Sequence, residues 1–459
     1  MQSKSKNVDV TVGQKFPLTI KRLGINGEGI GYFKHKIVFV PETLPNEVIT
    51  AKVIAVAPHF IRAKVQRLRT ASPDRVKPVD PLYGKVGGLD LEHMNYNAQL
   101  AFKRDVVAQS LEKFKPQGYE NYDLRPTIPS APYQYRNKAQ FPVALQDNHV
   151  IAGLYEEGSH HLVNVTTINT QMPVVTKIIN QLKTVLEDLK TPIYNERRQN
   201  PGVRTLVVRA SATTAEIQVT LVVSDSELLR DNALFAAIQT RIPAITSFFI
   251  NVNPQKTSLI WGEDTTHIFG TETITEKING KTFKLSPQAF FQLNPKQTQT
   301  LYKLATEAFD FNGSETLADA YCGVGTLGIT MADRVKTVRG MDIIPEGIAD
   351  AKANARLNGA NNCHYEVGKA EVLLTDWFKA GQRIDALVVD PPRTGLTEAL
   401  AKAIARAKPK QFVYISCNPS TLARDLVALS QAYRVDYIQS IDMFPQTARC
   451  EAIVKLSLK

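Results

Sequence analysis

The sequence predicts a multidomain α/β protein with three folded parts. A chain of 459 residues, 43% of them hydrophobic, can form more than one core, since domains average about 150 residues. Short apolar runs separated by glycine turns dominate the first part of the chain, whereas strand-like and helix-like segments alternate from Leu285 onward. The first pattern is typical of a small β-barrel, and the second of a parallel sheet covered by helices.

Residues 8–68 form the predicted OB-like barrel. The segment 1–70 holds 12 Lys and Arg against 4 Asp and Glu, so it supplies most of the net charge of +11. Its aromatic residues Tyr32, Phe33 and Phe60 are of the type that stacks on bases. A basic folded module of this kind favours RNA as the partner, with a merely solubilising surface as the plainer alternative.

Two further regions follow the barrel. Proline and glycine residues within 69–95 indicate a linker. Residues 96–280 mix helical and strand patterns and predict an α+β middle domain that begins with a helix at 97–114. In this domain Arg136 and Lys138 alternate with aromatic residues and are candidate RNA contacts, although a solvated strand edge is an equally good interpretation.

Residues 281–459 form the predicted C-terminal domain, in which helices cover a Rossmann-like sheet. Strand-like runs at 316–318, 386–389 and 412–415 alternate with helical segments. The last two apolar runs of the chain are expected to pair as antiparallel strands that close the sheet.

Cysteine content and hydropathy exclude several classes of protein. The four cysteines are too few and too widely spaced for a disulfide framework or a four-thiolate metal site. No apolar run approaches the roughly 18 residues of a membrane span. We therefore expect reduced thiols, no bound metal, no membrane contact and a cytoplasmic location.

A Gly-x-Gly-x-x-Gly sequence at 323–328 follows a strand-like run and precedes a helical one. Such a turn lets the backbone approach a cofactor, and Asp342, at the end of the next strand, is placed to accept hydrogen bonds from ribose hydroxyls. The pattern fits a dinucleotide or S-adenosylmethionine. Asp319 before the turn and Asp390 after a later strand add polar groups at the same sheet edge, which favours methyl transfer.

Cys417 is the most informative residue, because it lies just beyond the apolar run 412–415, with Ser416 between them. Ligands bind beyond the carboxyl ends of parallel strands, so this thiol is expected to face the cleft. Considered alone, a small residue packed in the core is the more common outcome for a cysteine. Beside the predicted cofactor site, however, a thiolate can add to carbon 6 of a pyrimidine and activate carbon 5 for methylation.

Arg393 indicates the methyl acceptor. Amino-group methyltransferases typically carry an aromatic residue at this place, after two prolines, and cytosine methyltransferases often have a cysteine there. The stretch Pro-Pro-Arg-Thr at 391–394 has neither. Carbon 5 of uracil is therefore the better target.

These residues together resemble the RNA 5-methyluridine methyltransferases of the RumA/TrmA type, over nearly the whole chain. The family's Asp-x-Tyr-Cys-Gly-x-Gly, Asp-Pro-Pro-Arg and Ser-Cys-Asn-Pro sequences match 319–325, 390–393 and 416–419. Further matches are Tyr-Arg-Asn-Lys at 135–138, Phe-Phe-Gln-x-Asn at 290–294 and Asp-Met-Phe-Pro at 442–445. The basic barrel resembles a TRAM domain.

The resemblance implies a role for each matched residue. Cys417 would be the nucleophile that adds to carbon 6, and Glu451 the base that removes the carbon 5 proton. The expected S-adenosylmethionine contacts are Gln292, Tyr321, Gly323, Gly325, Asp342 and Asp390. The expected RNA contacts are Arg136, Lys138 and Arg393.

The chain departs from the family pattern in two places. Members with an iron-sulfur cluster hold it with four cysteines. The matching positions here are Asp80, Val86, Leu89 and Ile168. Without thiolates to bind iron, no cluster is expected. Arg449 and Cys450 replace the usual His-Val pair before Glu451, so the family pattern does not identify the groups that orient this carboxylate.

The expected substrate is structured RNA, with 23S ribosomal RNA ahead of tRNA, because tRNA-type members of the family commonly lack the barrel. The protein is expected to act as a monomer. A non-catalytic RNA-binding or ribosome-assembly protein is the hypothesis from another class. The presence of Cys417 and Glu451 argues against it.

Overall fold

The computed structural model describes residues 10–195, 198 and 200–459, so residues 8 and 9 of the predicted barrel lie outside it. The first unit consists of β1 (Lys15–Thr19), β2 (Arg22–Leu23), β3 (Gly29–Phe33), β4 (Lys36–Val40), β5 (Val48–Val56) and β6 (Phe60–Thr70). These strands form one sheet in the order β1-β5-β6-β4-β3-β2.

Alternating burial builds the core of this barrel. Phe16 and Leu18 on β1 are buried while their neighbours are exposed, as expected for a strand with one face inward. Phe16 stacks on Phe33 of β3 with 3.7 Å between the ring centroids. The amide of Lys21 donates to the carbonyl of Ile30 at 2.8 Å, which brings the chain after β1 onto β3 and closes the sheet.

The predicted linker is packed against the domains on both sides of it. Leu91 and Met94 lie in one apolar cluster with Leu44 of the barrel and Phe102 of the following helix. The segment 71–95 therefore joins the barrel to the rest of the chain through a small core of its own.

The positions that correspond to cluster cysteines have other partners here. The buried Asp80 carboxylate accepts hydrogen bonds from the amides of Leu82 at 2.8 Å and Asn169 at 2.6 Å. Val86, Leu89 and Ile168 join the apolar core of the middle domain. Within the described residues there is no group of three His, Cys, Asp or Glu side chains that could hold a metal ion.

The middle of the chain forms a mixed sheet with helices packed on it. The elements in chain order are α1 (Tyr96–Phe114), β7 (Leu124–Ile128), β8 (Lys138–Gln146), β9 (His149–Tyr155), β10 (Leu162–Asn164), α2 (Pro173–Asp188), β11 (Val203–Ala210), β12 (Ile217–Val223), α3 (Asn232–Arg241), β13 (Ser247–Val252) and β14 (Asp264–Gly270). The sheet order is β10-β9-β8-β11-β12-β13-β14, and the buried faces of α2 and α3 share its core.

The C-terminal part begins with a hairpin and continues as an α/β domain. Its elements are β15 (Ile274–Ile278), β16 (Lys281–Leu285), α4 (Pro295–Glu307), β17 (Thr316–Ala320), α5 (Thr326–Met331), β18 (Thr337–Asp342), α6 (Pro345–Leu357), β19 (Cys363–Val367), α7 (Ala370–Lys379), β20 (Ala386–Val389), α8 (Glu398–Ala407), β21 (Gln411–Ser416), α9 (Pro419–Leu429), β22 (Tyr433–Ile441) and β23 (Glu451–Leu458).

The large sheet of this domain has the order β19-β18-β17-β20-β21-β23-β22-β7. Strands β17 to β21 pair in parallel, while β23 is antiparallel to both of its neighbours, so the predicted closing pair is present. Alternate residues face two separate cores: Leu317 belongs to one, and Ala318 to the other. The strand order reverses between β17 and β20, which is where open α/β sheets bind ligands.

Helix α1 and strand β7 differ from the prediction, which assigned them to the middle domain. Strand β7 extends the C-terminal sheet by pairing in parallel with β22. Val107 and Leu111 of α1 pack in the same core as that sheet. The domain that carries the cleft is thus completed by residues about 300 positions earlier in the chain, as the register pair Leu124 with Ile438 shows.

In residues 10–195, 198 and 200–459 no helix is both long and apolar enough to cross a membrane.

Candidate active site

The predicted glycine turn lies at the carboxyl end of β17. Tyr321, Gly323 and Gly325 have left-handed φ angles of 66°, 53° and 79°. This backbone conformation folds the chain tightly between β17 and α5. A side chain at Gly325 would stand 2.8 Å from the hydroxyl of Tyr365, so glycine is required there for packing as well as for conformation.

The space beside the turn is open. Among the described residues, no atom beyond the neighbours of Gly323 lies within 4 Å of where a side chain at Gly323 would stand, so the backbone is accessible to a ligand there. The Asp342 carboxylate accepts hydrogen bonds from the amides of Gly323 at 3.0 Å and Ile344 at 2.9 Å. Each oxygen retains a lone pair for a ribose hydroxyl. Ile343 and Ile344 are 61% and 51% exposed at the same strand end and offer an apolar surface to a base.

Asp319 lies beneath the turn and is buried. Its carboxylate accepts a hydrogen bond from the amide of Gly328 at 2.9 Å, which holds α5 against the end of β17. Burial, with smaller contributions from the charges of Asp390 and Asp342, raises the pKa of Asp319 to about 7 against the lowering effect of the Gly328 bond. Asp319 therefore stabilises the turn between β17 and α5.

Cys417 stands on the turn between β21 and α9. The side-chain oxygen of Asn418 accepts a hydrogen bond from the amide of Ser420 at 3.1 Å, and Pro419 opens the helix, so the thiol is held at the sheet edge by a helix cap. The amide nitrogen of the Asn418 side chain donates to the carbonyl of Arg393 at 2.9 Å. This bond joins the Ser-Cys-Asn-Pro turn to the Asp-Pro-Pro-Arg loop.

The strand register places Glu451 beside Cys417. Strands β21 and β23 are antiparallel, and their last pair is Ser416 with Ala452, so Cys417 and Glu451 are the next residues on the two strands. On its other side Glu451 pairs with Ile441 of β22. Glu451 is 4% exposed, and its Oε2 has no hydrogen-bond partner among the described residues. A buried carboxylate with a free oxygen thus lies next to a thiol.

The charges at this site act on one another. Burial raises the pKa of Cys417 to about 11, and the carboxylates of Glu451 and Asp390 add to the effect. Burial also raises the pKa values of Glu451 and Asp390 well above the usual carboxyl range, and the charge of Asp390 raises that of Glu451 further. The Arg393 cation lowers the pKa of both Cys417 and Glu451. Arg393 is therefore the residue that favours the thiolate.

Buried polar contacts hold the loop 442–450, which leads into the strand that carries the carboxylate. Lys103 of α1 forms an ion pair with Asp442, and neither side chain is exposed. The Lys103 ammonium also donates to the carbonyl of Phe444 at 2.9 Å. The Tyr96 hydroxyl donates to the second oxygen of Asp442 at 3.0 Å. Helix α1 is thereby anchored to the first half of the loop.

The second half of the loop is held by the same helix. The side chains of Gln99 and Gln446 hydrogen-bond at 2.9 Å, and the amide of Gln446 donates back to Gln99 at 3.1 Å. The Cys450 thiol donates to the carbonyl of Lys103 at 3.4 Å, in a fully buried position. These contacts fix the chain immediately before Glu451, where the family pattern identified no orienting group.

Arg136 and Lys138 lie at the start of β8, next to the segment between β16 and α4. The amide of Asn137, between them, donates to the carbonyl of Leu293 at 3.0 Å. Gln292, the adjacent residue, is 7% exposed. The predicted RNA contacts of the middle domain are therefore joined directly to the predicted cofactor residue of the C-terminal domain.

Lys138 lies in an environment with little opposing charge. Its ammonium is 5.5 Å from the ring centroid of Trp261. Burial, together with the smaller effect of the Arg209 and Arg136 cations, lowers its pKa to about 7. Arg209 is itself buried and donates to the carbonyl of Ala289 at 2.5 Å. A cluster of cations thus faces the segment that precedes Gln292.

The sequence-based reasoning missed Arg209, Trp261 and Lys103. Arg209 had a usable signal, because a charge inside the apolar run 203–210 is uncommon unless it has a partner or a function. Lys103 had none, since its partner Asp442 lies 339 residues further along the chain.

Comparisons with known proteins agree with this architecture. A family model described as tRNA (Uracil-5-)-methyltransferase matches residues 95–459, and a TRAM domain model matches residues 9–66. A protein of Lactiplantibacillus plantarum named as an uncharacterized RNA methyltransferase is 55% identical over 98% of this chain and 93% of its own length. A protein of Enterococcus faecalis with the same name is 50% identical over 98% of this chain and 99% of its own.

A solved structure is similar over almost the whole chain. It is the Pyrococcus abyssi tRNA (uracil-54, C5)-methyltransferase in complex with S-adenosyl-L-homocysteine, with a TM-score of 0.76 and 28% identity over 96% of this chain and 99% of that one. The multidomain α/β fold and the resemblance inferred from the sequence are confirmed. The chain belongs to the tRNA (uracil-5-)-methyltransferase family and is an S-adenosylmethionine-dependent RNA methyltransferase with an N-terminal TRAM domain.

Proposed function

We propose that this enzyme methylates carbon 5 of a uridine in 23S ribosomal RNA, with Cys417 as the nucleophile and Glu451 as the base. The observation that carries the proposal is the position of Glu451, buried and with a free oxygen, one register step beyond the last pair of β21 and β23 and hence beside Cys417. This arrangement suits a reaction in which a thiol adds to one ring carbon and a base acts on the next.

Cys417 carries the first step. Its thiolate bonds to carbon 6 of the uracil, and the electron pair of the 5,6 double bond moves toward the carbonyl at carbon 4, so that carbon 5 becomes nucleophilic. Bound S-adenosylmethionine supplies an electrophilic methyl group. Because burial raises the pKa of Cys417 to about 11, the Arg393 cation that lowers it assists formation of the thiolate.

Glu451 carries the last step. After carbon 5 has been methylated it still bears its proton, and Glu451 removes that proton. The electron pair left on carbon 5 restores the double bond, and the bond between carbon 6 and the Cys417 sulfur breaks. The raised pKa of Glu451 makes it a stronger base than an exposed carboxylate once it is ionised.

The other predicted site residues divide between cofactor and RNA. The residues that would bind S-adenosylmethionine are Gln292, Tyr321, Gly323, Gly325, Asp342 and Asp390. All of them except Gln292 lie in the glycine turn or at the carboxyl ends of β18 and β20. The cations of Arg136, Lys138 and Arg393 would contact RNA. A nucleotide rotated out of its stack is expected, since chemistry on a stacked base is blocked.

A second candidate substrate is tRNA. The similar structure from Pyrococcus abyssi is a tRNA (uracil-54, C5)-methyltransferase, and it covers 96% of this chain. The unmatched part of this chain is shorter than the barrel, so the similarity extends into the barrel. The presence of a barrel therefore does not distinguish an enzyme that acts on 23S RNA from one that acts on tRNA.

We further propose that the enzyme acts as a monomer in the cytoplasm. The four described cysteines, all free thiols in the structure, are proposed to be reduced.

Tritium release tests the proposal directly. The protein is incubated with S-adenosylmethionine and transcripts of 23S RNA or tRNA that carry tritium at carbon 5 of uridine. Release from the 23S transcript, abolished by Cys417→Ala, is the expected result. Release from tRNA alone would transfer the function to the second candidate, and release that persists in Cys417→Ala would contradict the role of the thiol.

A further inference from the structure

Three side chains on one face of helix α9 contact the loop that carries Arg393, which spans residues 390–397 and is called the Arg393 loop below. Thr421, Arg424 and Asp425 are three and four positions apart, so they lie together on the helix surface. The Thr421 hydroxyl donates to the carbonyl of Arg393 at 3.2 Å. The Arg424 guanidinium donates to the next carbonyl of the chain at 2.7 Å. The Arg393 loop is therefore bonded to α9 through side chains of the helix.

The Asp425 carboxylate connects the same loop to the strand that leads to the thiol. Its Oδ2 accepts hydrogen bonds from the amide of Leu396 and from the Tyr414 hydroxyl, both at 2.8 Å. Its Oδ1 accepts from Nε and Nη2 of Arg424, at 2.9 and 2.7 Å. Tyr414 is fully buried on β21, close before Cys417. Asp425 is buried and has partners for both oxygens, so it holds the loop, the strand and the guanidinium together.

Gly395, within the loop, lies directly against the same three side chains. It has a left-handed φ of 75°, and its amide donates to the carbonyl of Pro392 at 2.8 Å. The atoms nearest to a side chain added there would be Asp425 Oδ2 at 2.5 Å, Arg424 Nη2 at 2.8 Å and Thr421 Cβ at 3.0 Å. A larger residue at this position would therefore push the loop away from α9.

The position of the loop matters because it carries the cation that acts on the thiol. Arg393 lowers the pKa of Cys417, whereas burial and the carboxylates of Glu451 and Asp390 raise it. At an effective dielectric constant of about 20, moving two charges from about 4 to about 6 Å apart changes a pKa by about 1. A small displacement of the loop would thus leave the two carboxylates to act on the thiol with less opposition.

We propose that Thr421, Arg424 and Asp425 are positioning residues, which hold the Arg393 loop so that the Arg393 cation stays near the Cys417 thiol. They act on the thiol through this cation. Helix α9 begins directly after the turn that carries the thiol, so one element places both the nucleophile and the charge that favours its ionisation. The proposal rests on the function proposed above, in which the thiolate is the nucleophile.

The rate at which iodoacetamide alkylates Cys417 tests the proposal, because the thiolate is the reactive form of a cysteine. The full-length enzyme is treated without RNA or cofactor at several pH values below the pKa of this thiol. Mass spectrometry of the peptide that contains Cys417 distinguishes it from the other three cysteines. The rate at a given pH then reports the thiolate fraction at this residue.

Two loop variants displace the Arg393 loop in different ways. Thr421→Val with Arg424→Lys removes bonds to the loop while keeping the net charge, since lysine lacks the planar fork that bonds several acceptors at once. Gly395→Ala keeps all three side chains and displaces the loop from them. A result shared by both variants therefore reflects the position of the loop.

The controls match the two loop variants in chemistry. Thr240→Val with Arg406→Lys makes the same replacements at exposed positions on α3 and α8. Gly381→Ala adds a methyl group at a positive φ angle where no atom lies near the Cβ position. All variants are also prepared together with Arg393→Gln, which removes the cation itself.

Each loop variant should slow the alkylation of Cys417 by about threefold to tenfold at a given pH, which corresponds to a pKa rise of about 0.5–1. The controls should react at the rate of the wild-type protein. When Arg393→Gln is already present, the loop substitutions should change the rate by less than about twofold, because no cation remains to be positioned.

The same slowing in the presence of Arg393→Gln would overturn the proposal, since the side chains would then act on the thiol by another route. Faster alkylation in the loop variants would also overturn it, because loosening the loop would then only expose the thiol, and so would an unchanged rate. The assay contains neither RNA nor S-adenosylmethionine, so its outcome is independent of the tritium-release experiment that tests the function.

Discussion

Replacing Lys103 with methionine should destabilise the catalytic domain strongly. Lys103 and Asp442 are fully buried and paired, and methionine keeps most of the length of the lysine side chain without its charge. Among the described side chains, the Tyr96 hydroxyl would then be the remaining donor to the Asp442 carboxylate. The carbonyl of Phe444 would lose its bond from the ammonium as well.

The size of the stability loss follows from the Asp442 charge that remains in the variant. Removing one partner of a buried ion pair costs roughly 3–5 kcal/mol, because an uncompensated charge remains in a medium of low dielectric constant. A domain of this size loses about 2–4 °C of Tm for each kcal/mol, so the transition should fall by roughly 6–20 °C. The double variant Lys103→Met with Asp442→Leu removes both charges. It should regain most of the loss, leaving about 1–3 kcal/mol for the Tyr96 hydroxyl proton that has lost its acceptor. The Phe444 carbonyl keeps its bond from the Thr447 hydroxyl, and the Tyr96 oxygen still accepts from the amide of Ser130.

Differential scanning calorimetry of both variants and of Lys113→Met measures these differences. Lys113 is exposed on the same helix, so its replacement should change stability by no more than about 0.5 kcal/mol. The order expected is wild type, then the double variant, then Lys103→Met. A double variant no more stable than Lys103→Met would refute the reasoning, since the cost would then not come from the charge left behind.

Three other predictions concern the reaction. Glu451→Gln should accumulate a denaturation-resistant adduct between protein and RNA, since addition of Cys417 can occur while elimination stalls. The adduct should be visible on a denaturing gel and depend on Cys417. Free RNA alone on the gel would contradict the role of Glu451. Arg393→Gln removes the cation that lowers the pKa of Cys417 and Glu451, so the acid limb of the kcat/KM profile should move to higher pH, while the exposed control Arg406→Gln leaves it in place. Gly325→Ala should weaken S-adenosylmethionine binding at least tenfold in calorimetric titration, because the new methyl group would stand 2.8 Å from the Tyr365 hydroxyl. Gly381 also has a positive φ angle, but no atom lies near its Cβ position, so the control variant Gly381→Ala should bind the cofactor normally.

The sequence predicts the sheet edge of the C-terminal domain well because each polar sequence there directly follows a strand. Asp319, Asp342, Asp390 and Cys417 all lie within two residues of the carboxyl end of a parallel strand, and parallel strands bring these ends together. The residue types therefore identify the edge. Glu451 reaches the same edge on an antiparallel strand, so its place beside Cys417 follows from the closing hairpin.

Other features depend on contacts that no local pattern shows. Strand β7 pairs with β22, more than 300 residues later, and its own sequence does not distinguish that sheet from the middle one. Burial raises the pKa values of Glu451 and Asp390, and the charge of Asp390 adds to the rise at Glu451; both causes exist only once the sheet has formed. The segment 71–95 has the proline and glycine content of a linker, yet Leu91 and Met94 give it a core.

The loop 442–450 explains why so much of the chain is needed to place one carboxylate. The Tyr135 hydroxyl, next to the predicted RNA contact Arg136, donates to the carbonyl of Pro445 at 3.0 Å. The side chain of Asn294, two residues after Gln292, donates to the carbonyl of Met443 at 3.1 Å. Lys103 of α1 makes a third contact with this loop. The segments that carry the predicted RNA residue and the predicted cofactor residue therefore both contact the loop that leads to Glu451. Because these bonds are to backbone carbonyls, the family's Asp-Met-Phe-Pro sequence marks the loop without revealing its partners. The position of the base is therefore a property of the assembled domains rather than of its own strand.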